Sequence, residues 1–209
     1  MQTLYLYALI VAVVSYLLGC FNGSIIVSKY ILKNDIRSHG SGNAGLTNFY
    51  RSFGGGLTAL VLLGDILKAV LAYFFGRWLM GSLGFAVGGE FLACFFVMLG
   101  HTFPVFFGFK GGKGVLSGGT LVALIDLRIF AVVIIAFLVM VVLTRYISLG
   151  SIMAAVFFPF AAWFFWHSPF YTFMTVLCSA MLIFMHRGNL TRIKNGTESR
   201  FSFRRKKSP

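Results

Sequence analysis

The chain has 209 residues, of which 58% are hydrophobic and only 11% are charged. A soluble domain usually carries about 25% charged residues, so this chain has too little polar surface for a water-exposed globule. A transmembrane helix needs about 20 apolar residues, and the length leaves room for roughly seven spans but for no separate soluble domain. We therefore predict one integral-membrane domain over residues 1–209.

Apolar segments follow one another along the whole chain, at 4–27, 54–76, 85–107, 114–126, 129–144, 151–166 and 170–186. They predict an all-α polytopic membrane protein with about seven transmembrane helices. The fourth segment is short and contains Gly118 and Gly119, so a tilted, broken or re-entrant piece is an alternative that leaves five or six full spans.

The basic residues lie mostly on one side of these spans. The 18 Lys and Arg residues outnumber 5 Asp and Glu residues, for a net charge of +13. Most of them fall in the segments 28–53, 108–113, 145–150 and 187–209, whereas the connections on the other side carry Arg77 and Arg128. The positive-inside rule then places the N-terminus outside and the C-terminus in the cytoplasm. We expect the basic tail within 187–209 to lie in solvent near anionic lipid.

Such an excess of positive charge would in a soluble chain suggest nucleic acid. That interpretation rests on charge alone and lacks interleaved exposed aromatic residues, so we expect no nucleic-acid partner here. The three cysteines lie within apolar runs and lack metal-ligand spacing, so we also expect no metal and no cofactor.

The first polar loop is rich in glycine and in small hydroxyl and amide side chains. Glycines let successive backbone N–H groups converge on an anion, and an arginine adds a bidentate fork to a phosphate. The alternative is a flexible connector. The candidate residues for phosphate binding are Ser41, Gly42, Asn43, Thr47, Asn48 and Arg51.

The second polar loop combines cations with glycines just before a helical segment. Compared with the nucleotide-binding P-loop GxxxxGK[ST], this loop has one residue fewer between the first glycine and the Gly-Lys pair and has no Ser or Thr after the lysine. We therefore predict phosphate binding without a nucleoside triphosphate. The N-terminal dipole of the following helix would favour the anion. The candidate residues are Lys110, Gly111, Gly112, Lys113 and Gly114.

Several ionisable residues stand close to these loops. His101 precedes the second loop and is a candidate general base or phosphate donor; a histidine satisfied by backbone at a helix end is the alternative. Asp65 and Lys68, three residues apart inside the second apolar segment, predict an ion pair that faces the bundle and is either structural or substrate-orienting.

Two later segments add polar candidates of lower specificity. Arg145, Ser148 and Ser151 surround a short loop and would usually be an anchor and a helix cap. His186 and Asn189 are three residues apart after the last span, so they can share a helix face.

The chain contains no GxSxG, HExxH or HxxxxD motif and only five carboxylates, so a covalent acyl-enzyme is not expected. Several phosphate-binding loops on one side of an apolar bundle suit a reaction between an anionic soluble substrate and a lipid-tailed one. An organic-phosphate transporter or channel is the alternative, since glycine breaks are also transporter features.

Four motifs resemble those of the bacterial acyl-phosphate:glycerol-3-phosphate acyltransferases: GSGNAGLTNFYR, GHTFPVFFGFKGGKGV, RYISLGSI and HRGNLTRIKNGTE. The resemblance implies an enzyme of the bacterial plasma (inner) membrane, with its active site on the cytoplasmic face and with membrane lipid around it. It would transfer an acyl group from acyl phosphate to glycerol 3-phosphate, giving lysophosphatidic acid and phosphate, as the first step of phospholipid synthesis.

The same resemblance implies roles for individual residues. Asn43, Arg51, His101 and Lys113 would be catalytic. Glycerol 3-phosphate would be held by Arg51, Lys113, Ser151, His186 and Asn189. Acyl phosphate would be held by Ser41, Gly42, Asn43 and Thr47 and by the backbone amides of Gly111 and Gly112. Asn48, Lys110, Gly114, Arg145 and Ser148 complete the predicted binding set. The hydroxyl proton would pass to His101 or to a substrate phosphate.

Overall fold

A computed structural model describes residues 1–201 as helices joined by loops. The predicted basic run Arg204-Arg205-Lys206-Lys207 lies outside these described residues. The chain divides into two compact units: unit 1 is Met1–Leu127 and unit 2 is Arg128–Pro209.

Unit 1 consists of apolar helices and two polar loops. A helix satisfies its own backbone hydrogen bonds, which an apolar segment in lipid requires. The first two helices, α1 (Gln2–Cys20) and α2 (Gly23–Ile26), are separated by Asn22. Its side chain accepts a hydrogen bond from the amide of Ile25 at 3.1 Å and so begins α2. A π-helical turn, Val27–Ile31, continues α2. The helices are α1 (Gln2–Cys20), α2 (Gly23–Ile26), α3 (Leu46–Phe53), α4 (Thr58–Gly81), α5 (Ala86–Thr102) and α6 (Val115–Ile125).

Small residues bring the long helices of unit 1 into close contact. α1, α4 and α5 pack on one another, and α6 packs against α4 and α5. A Cβ atom at Gly76 of α4 would overlap the carbonyl oxygen of Gly89 on α5, and the reverse is also true. Gly100 of α5 lies equally close to the carbonyl oxygen of Tyr16 on α1. Such glycines allow helix backbones to approach closely in membranes, where packing drives association.

Unit 2 contains the remaining helices: α7 (Leu127–Thr144, whose first residue ends unit 1), α8 (Ile147–Trp166), α9 (Pro169–Met185) and α10 (Arg187–Lys194). α8 and α9 pack together. The guanidinium of Arg128 lies 5.0 Å from the ring centre of Phe165, which ties the start of α7 to the end of α8. α9 begins at Pro169, a residue whose fixed φ suits the first helical position.

Within residues 1–201, five helices are long and apolar enough to cross a membrane, and a sixth span results if α9 and α10, which meet at 47°, count as one. The prediction of an all-helical membrane protein is confirmed, with five or six candidate spans. The fourth segment is short, as predicted, because α6 has only 11 residues. A count of about seven spans and the orientation in the membrane stay predictions.

The predicted connections that carry Arg77 and Arg128 are wrong, because both residues are helical. α4 continues to Gly81, and α7 begins at Leu127. Arg77 is therefore helical, and its guanidinium forms an ion pair with Glu90 on α5. Glu90 is buried, so an apolar helix pair gains a charged contact that the sequence pattern did not indicate.

Candidate functional site

The first polar loop of unit 1 is folded around the side chain of Asn48 on α3. Its Oδ1 accepts a hydrogen bond from the amide of Ser41, and its Nδ2 donates to the carbonyl oxygens of His39 and Asn43, all at 3.0 Å. Gly40 has a φ of +54°, and a Cβ there would overlap the same Oδ1. Asn48 therefore supports the loop; direct substrate contact by this residue stays a prediction.

The second polar loop returns to the end of α5 and joins the first loop. The amide of Gly111 donates to the carbonyl of Thr102 and that of Gly112 to the carbonyl of His101, both at 3.0 Å. The amide of Ala44 donates to the carbonyl of Gly111 at 3.4 Å. We call this meeting point of Ala44, Gly111 and Gly112 the loop junction. In this structure both glycine amides donate to backbone carbonyls. That they bind acyl phosphate stays a prediction.

Arg37 is a second connection between the two loops. Its Nη1 donates to the carbonyl oxygens of Phe107 at 2.6 Å and Lys110 at 3.4 Å, while Nη2 forms an ion pair with Asp35 at 2.8 Å. The hydrogen bonds from Arg37 lower the pKa of the Asp35 carboxyl, so this pair stays ionised. The side chain of Arg37 thus connects the Asp35 carboxylate to the backbone of the second loop.

Gly112 leaves no room for a side chain. A Cβ there would overlap Nε2 of His101 and lie 2.7 Å from the carbonyl oxygen of Ala44. Gly114, with a φ of +75°, then turns the chain into α6, directly after the half-buried Lys113. The edge of the His101 ring is therefore packed against the loop junction.

Behind the junction lies a buried ionic group made of Asp65 and Lys68 on α4 and His101 on α5. Lys68 Nζ is 2.7 Å from Asp65 Oδ1 and 2.7 Å from His101 Nδ1. It also donates to the carbonyl oxygens of Gly19 at 3.3 Å and Phe21 at 3.1 Å. The side chains of Asp65 and Lys68 are 1% and 4% exposed, so the predicted ion pair facing the bundle is confirmed.

Unit 2 contains a separate polar cluster centred on Glu198. Its Oε1 accepts from Ser148 at 2.7 Å and from Asn189 at 2.6 Å, and its Oε2 accepts from Arg192 at 2.8 Å. Burial raises the pKa of this carboxyl, but the three hydrogen bonds outweigh burial and leave the pKa below its usual value. Glu198 therefore joins the start of α8 to α10 as an ionised group.

The other predicted residues of unit 2 have mostly backbone partners. The hydroxyl of Ser151 donates to the carbonyl of Ile147 at 3.0 Å, and His186 Nδ1 is 2.8 Å from the carbonyl oxygen of Leu182. The carbonyl of Arg145 accepts from the amide of Phe201 at 2.6 Å. A carbonyl oxygen only accepts, so Nδ1 of His186 carries a proton.

The sequence profile of the glycerol-3-phosphate acyltransferase family matches residues 9–196. The chain belongs to this family. The acyltransferase is 38% identical over 195 residues to the glycerol-3-phosphate acyltransferase of Thermoanaerobacter pseudethanolicus, covering 93% of this chain and 96% of that protein. Against the enzyme of Trichlorobacter lovleyi it is 40% identical over 188 residues, covering 90% and 94%.

Two solved structures resemble the acyltransferase in fold. One is PlsY (YgiH), an integral membrane glycerol 3-phosphate acyltransferase, in its glycerol 3-phosphate form, with a TM-score of 0.83 and 30% identity over 93% of this chain and 96% of that chain. The lysophosphatidic acid form gives a TM-score of 0.78 and 31% identity, over 93% and 95%. The predicted family, enzyme class and multi-pass membrane location are confirmed.

The site residues predicted for the acyltransferase fall into both units. Unit 1 contains Ser41, Gly42, Asn43, Thr47, Asn48, Arg51, His101, Lys110, Gly111, Gly112, Lys113 and Gly114, and unit 2 contains Arg145, Ser148, Ser151, His186 and Asn189. Their roles toward substrates stay predictions.

Two residues with clear structural roles were not singled out from the sequence, Arg37 and Glu198. Arg37 stands two residues after a carboxylate, and Glu198 is the one acidic residue in the motif HRGNLTRIKNGTE. In a chain with only five carboxylates, an acidic residue inside a basic motif was the signal that could have identified Glu198.

Proposed function

We propose that this glycerol-3-phosphate acyltransferase takes its acyl group from an acyl phosphate and releases lysophosphatidic acid and inorganic phosphate. The observation that carries this proposal is the loop junction, where two glycine-rich polar loops meet at the ends of apolar helices. An acyl phosphate is a mixed anhydride and already activated. It reacts without an enzyme nucleophile, which agrees with a chain that has no recognisable nucleophile motif.

The transfer is a direct displacement. A hydroxyl oxygen of glycerol 3-phosphate attacks the acyl carbonyl carbon, an ester bond forms, and the bond from that carbon to the phosphate oxygen breaks. The leaving phosphate takes the electron pair, and the hydroxyl proton ends on a phosphate oxygen. Holding both substrates in one orientation supplies much of the acceleration.

We assign the acyl phosphate to the first loop and the beginning of α3, through Ser41, Asn43 and Thr47, with Gly42 giving the backbone its turn. Gly42 has a φ of +71°, which favours glycine. Asn48 holds the shape of this loop through its three hydrogen bonds. Arg51 on α3 and Lys113 before α6 supply positive charge for phosphate groups.

We assign glycerol 3-phosphate to Arg51 and Lys113 together with Ser151, His186 and Asn189. Support comes from the Glu198 cluster, because the hydrogen bond from Asn189 to Glu198 fixes the orientation of the amide. Arg145, Ser148, Lys110 and Gly114 complete the proposed set at the loop ends. Ser148 acts through Glu198.

The active site is proposed to lie on the cytoplasmic face of the bacterial plasma membrane. The support is the concentration of Lys and Arg in the segments that contain the candidate residues. Glycerol 3-phosphate would then enter from the cytoplasm, and the product would remain in the inner leaflet.

The test is an assay of the purified protein with acyl phosphate and labelled glycerol 3-phosphate, with acyl-coenzyme A as the alternative donor. We expect equal amounts of lysophosphatidic acid and phosphate from acyl phosphate alone. Lys113→Ala should lower the rate roughly 100- to 1000-fold in a folded protein, whereas Lys29→Ala, an exposed lysine of the π-helical turn, should not. Product from acyl-coenzyme A and none from acyl phosphate would contradict the proposed donor.

A further inference from the structure

The first candidate membrane span of unit 1, Gln2–Ile31, is broken between α1 and α2. Phe21 has a φ of −72° and a ψ of +82°, and the amide of Asn22 donates to the carbonyl of Cys20 at 2.9 Å, so the chain makes a three-residue turn there. Such a break leaves carbonyl groups at the end of one helix and N–H groups at the start of the next without helical partners. Where these groups are buried, they need partners within the protein.

The Asp65–Lys68 ion pair on α4 supplies partners on both sides of this break. Lys68 Nζ donates to the carbonyl oxygens of Gly19 at 3.3 Å and Phe21 at 3.1 Å. Asp65 Oδ1 accepts from the amide of Gly23, the first residue of α2, at 3.4 Å. The ammonium therefore faces the carbonyl end of α1 and the carboxylate faces the amide end of α2, which is the orientation that the partial charges of helix ends favour.

α4 also approaches the break closely. A Cβ at Gly23 would lie 3.0 Å from the carbonyl oxygen of Val61 on α4. Val61, Asp65 and Lys68 are four and three residues apart, so they lie on one face of the helix, and all three are buried. This face of α4 thus contacts the break through both packing and charge.

Asn22 lies in the break, and the two polar atoms of its side chain have different partners. Oδ1 accepts from the amide of Ile25 and so begins α2. Nδ2 donates to the carbonyl oxygen of Ala44 at 3.0 Å. Ala44 belongs to the loop junction, where its amide donates to the carbonyl of Gly111. The fully buried side chain of Asn22 therefore connects the break to the first polar loop.

We propose that Asp65 and Lys68 are positioning residues that fix the break between α1 and α2, so that Asn22 holds Ala44 and with it the first polar loop. This inference rests on the proposed function, which assigns the acyl phosphate to that loop. The three side chains act without touching a substrate. They affect the rate through the position of the loop, because a shift of about 1 Å near reacting groups costs about 100-fold.

Two substitutions of Asn22 separate its contact with the loop from its role at the start of α2. Serine begins a helix as well as asparagine does, but its shorter side chain ends before the carbonyl of Ala44. We expect Asn22→Ser to keep the thermal unfolding midpoint of the wild type and to lose about tenfold in kcat. Asn22→Ala, which also lacks the cap, should in addition unfold at a lower temperature. A wild-type kcat in Asn22→Ser would overturn the inference.

Hydrogen exchange reports on the loop without any activity. The amide of Ala44 is bonded to Gly111, and this bond should open more often when Asn22 no longer holds Ala44. We expect peptides covering residues 40–48 to exchange faster in Asn22→Ser than in the wild type, and peptides covering residues 86–100 of α5 to exchange alike. Unchanged exchange in 40–48 would contradict the positioning role. If exchange changes as expected and the wild-type protein makes no product from acyl phosphate, the proposed function is wrong and the positioning of the loop stands.

The ion pair is tested by removing both charges together, in Asp65→Asn with Lys68→Met. If the pair acts through Asn22, its loss and the loss in Asn22→Ser are not additive. We expect the neutral pair to lower kcat about tenfold in the wild-type background and less than about twofold further in Asn22→Ser. A combined loss of about 100-fold would overturn the inference, because the pair would then act through another contact, such as His101 Nδ1 at 2.7 Å from Lys68.

The matched control is Arg77→Met with Glu90→Gln, an ion pair with a buried carboxylate further along α4. Its removal should leave kcat unchanged, and a tenfold loss would show that the loss of any ion pair on α4 lowers the rate. If the neutral pair does not fold, the milder Asp65→Asn is compared with Glu90→Gln by hydrogen exchange. Residues 40–48 should exchange faster only in Asp65→Asn, and equal exchange in the two variants would contradict the role of the pair.

Discussion

Unit 1 and unit 2 hold their polar loops by different means. At the loop junction of unit 1, backbone groups bond directly to backbone groups, and Gly112 has no space for another atom. In unit 2, three side chains converge on the single carboxylate of Glu198. The arrangement in unit 1 depends on the small size of Gly112, and the arrangement in unit 2 depends on the charge of Glu198. We therefore expect added atoms to damage unit 1 most and lost charge to damage unit 2 most.

The largest effect is expected from Gly112→Val. The added carbon atoms must displace the His101 ring or the carbonyl of Ala44, and a shift of about 1 Å near reacting groups costs about 100-fold in rate. This loss is measured as the rate of lysophosphatidic acid formation. Gly119→Ala on α6, where a Cβ meets nothing within 4 Å, is the matched control. A Gly112→Val enzyme as active as that control would refute the steric side of the comparison.

Glu198→Gln should have the second largest effect. Gln cannot accept from all three donors, and hydrogen bonds to a charged group contribute about 2 kcal/mol each to stability. We expect a lower thermal unfolding midpoint in detergent and a higher KM for glycerol 3-phosphate. Lys194→Gln, an exposed charge at the end of α10, should leave both unchanged. Unaltered stability in Glu198→Gln would mean that charge does not hold unit 2 together.

Arg37→Ala tests whether unit 1 also depends on a charged side chain. The variant loses the hydrogen bonds to the carbonyls of Phe107 and Lys110, and we expect a rate loss of about tenfold. Arg37→Lys should recover little, because an ammonium cannot reproduce the fork of a guanidinium. A loss larger than that of Gly112→Val would reverse the order of the two effects in unit 1.

The smallest effect is a dependence of stability on pH. The hydrogen bonds that lower the native pKa of Glu198 stabilise the fold fully above the pKa of an unfolded glutamate, about 4.3, and this gain disappears as the pH falls through the native pKa. The difference in unfolding midpoint between wild type and Glu198→Gln should therefore narrow below about pH 4.3. A difference that is constant from pH 7 to pH 3 would show that ionisation of Glu198 does not matter.

The sequence predicted the helices and the Asp65–Lys68 pair well, because both follow from local spacing. Apolar runs define helices in lipid, and residues three apart on one helix are neighbours. The apolar pattern ends α4 too early, because a charged residue such as Arg77 is typical of a connection between spans. Its ion pair with Glu90 is a contact between helices, and single-sequence spacing contains no information on such contacts.

The candidate site was predicted as a set of residues and motifs but not as a set of hydrogen bonds. Gly111 and Gly112 were recognised as loop glycines, yet their amides bond to the end of α5, a partner that only the folded chain reveals. Likewise, the role of Glu198 after α10 depends on the hydrogen bond donated by Ser148, which lies 50 residues away in the sequence.

The buried ammonium of Lys68 has a consequence for membrane insertion. Asp65 and Lys68 lie near the middle of α4, and each ionisable residue at the centre of a helix adds about 2.5–3.5 kcal/mol to the free energy of insertion by the translocon. Two of the acceptors that satisfy Lys68 are carbonyls at the end of α1, which is synthesised earlier. When α4 is synthesised, α1 already lies in the bilayer and can accept hydrogen bonds from Lys68. The order of synthesis of the two helices therefore assists the insertion of α4.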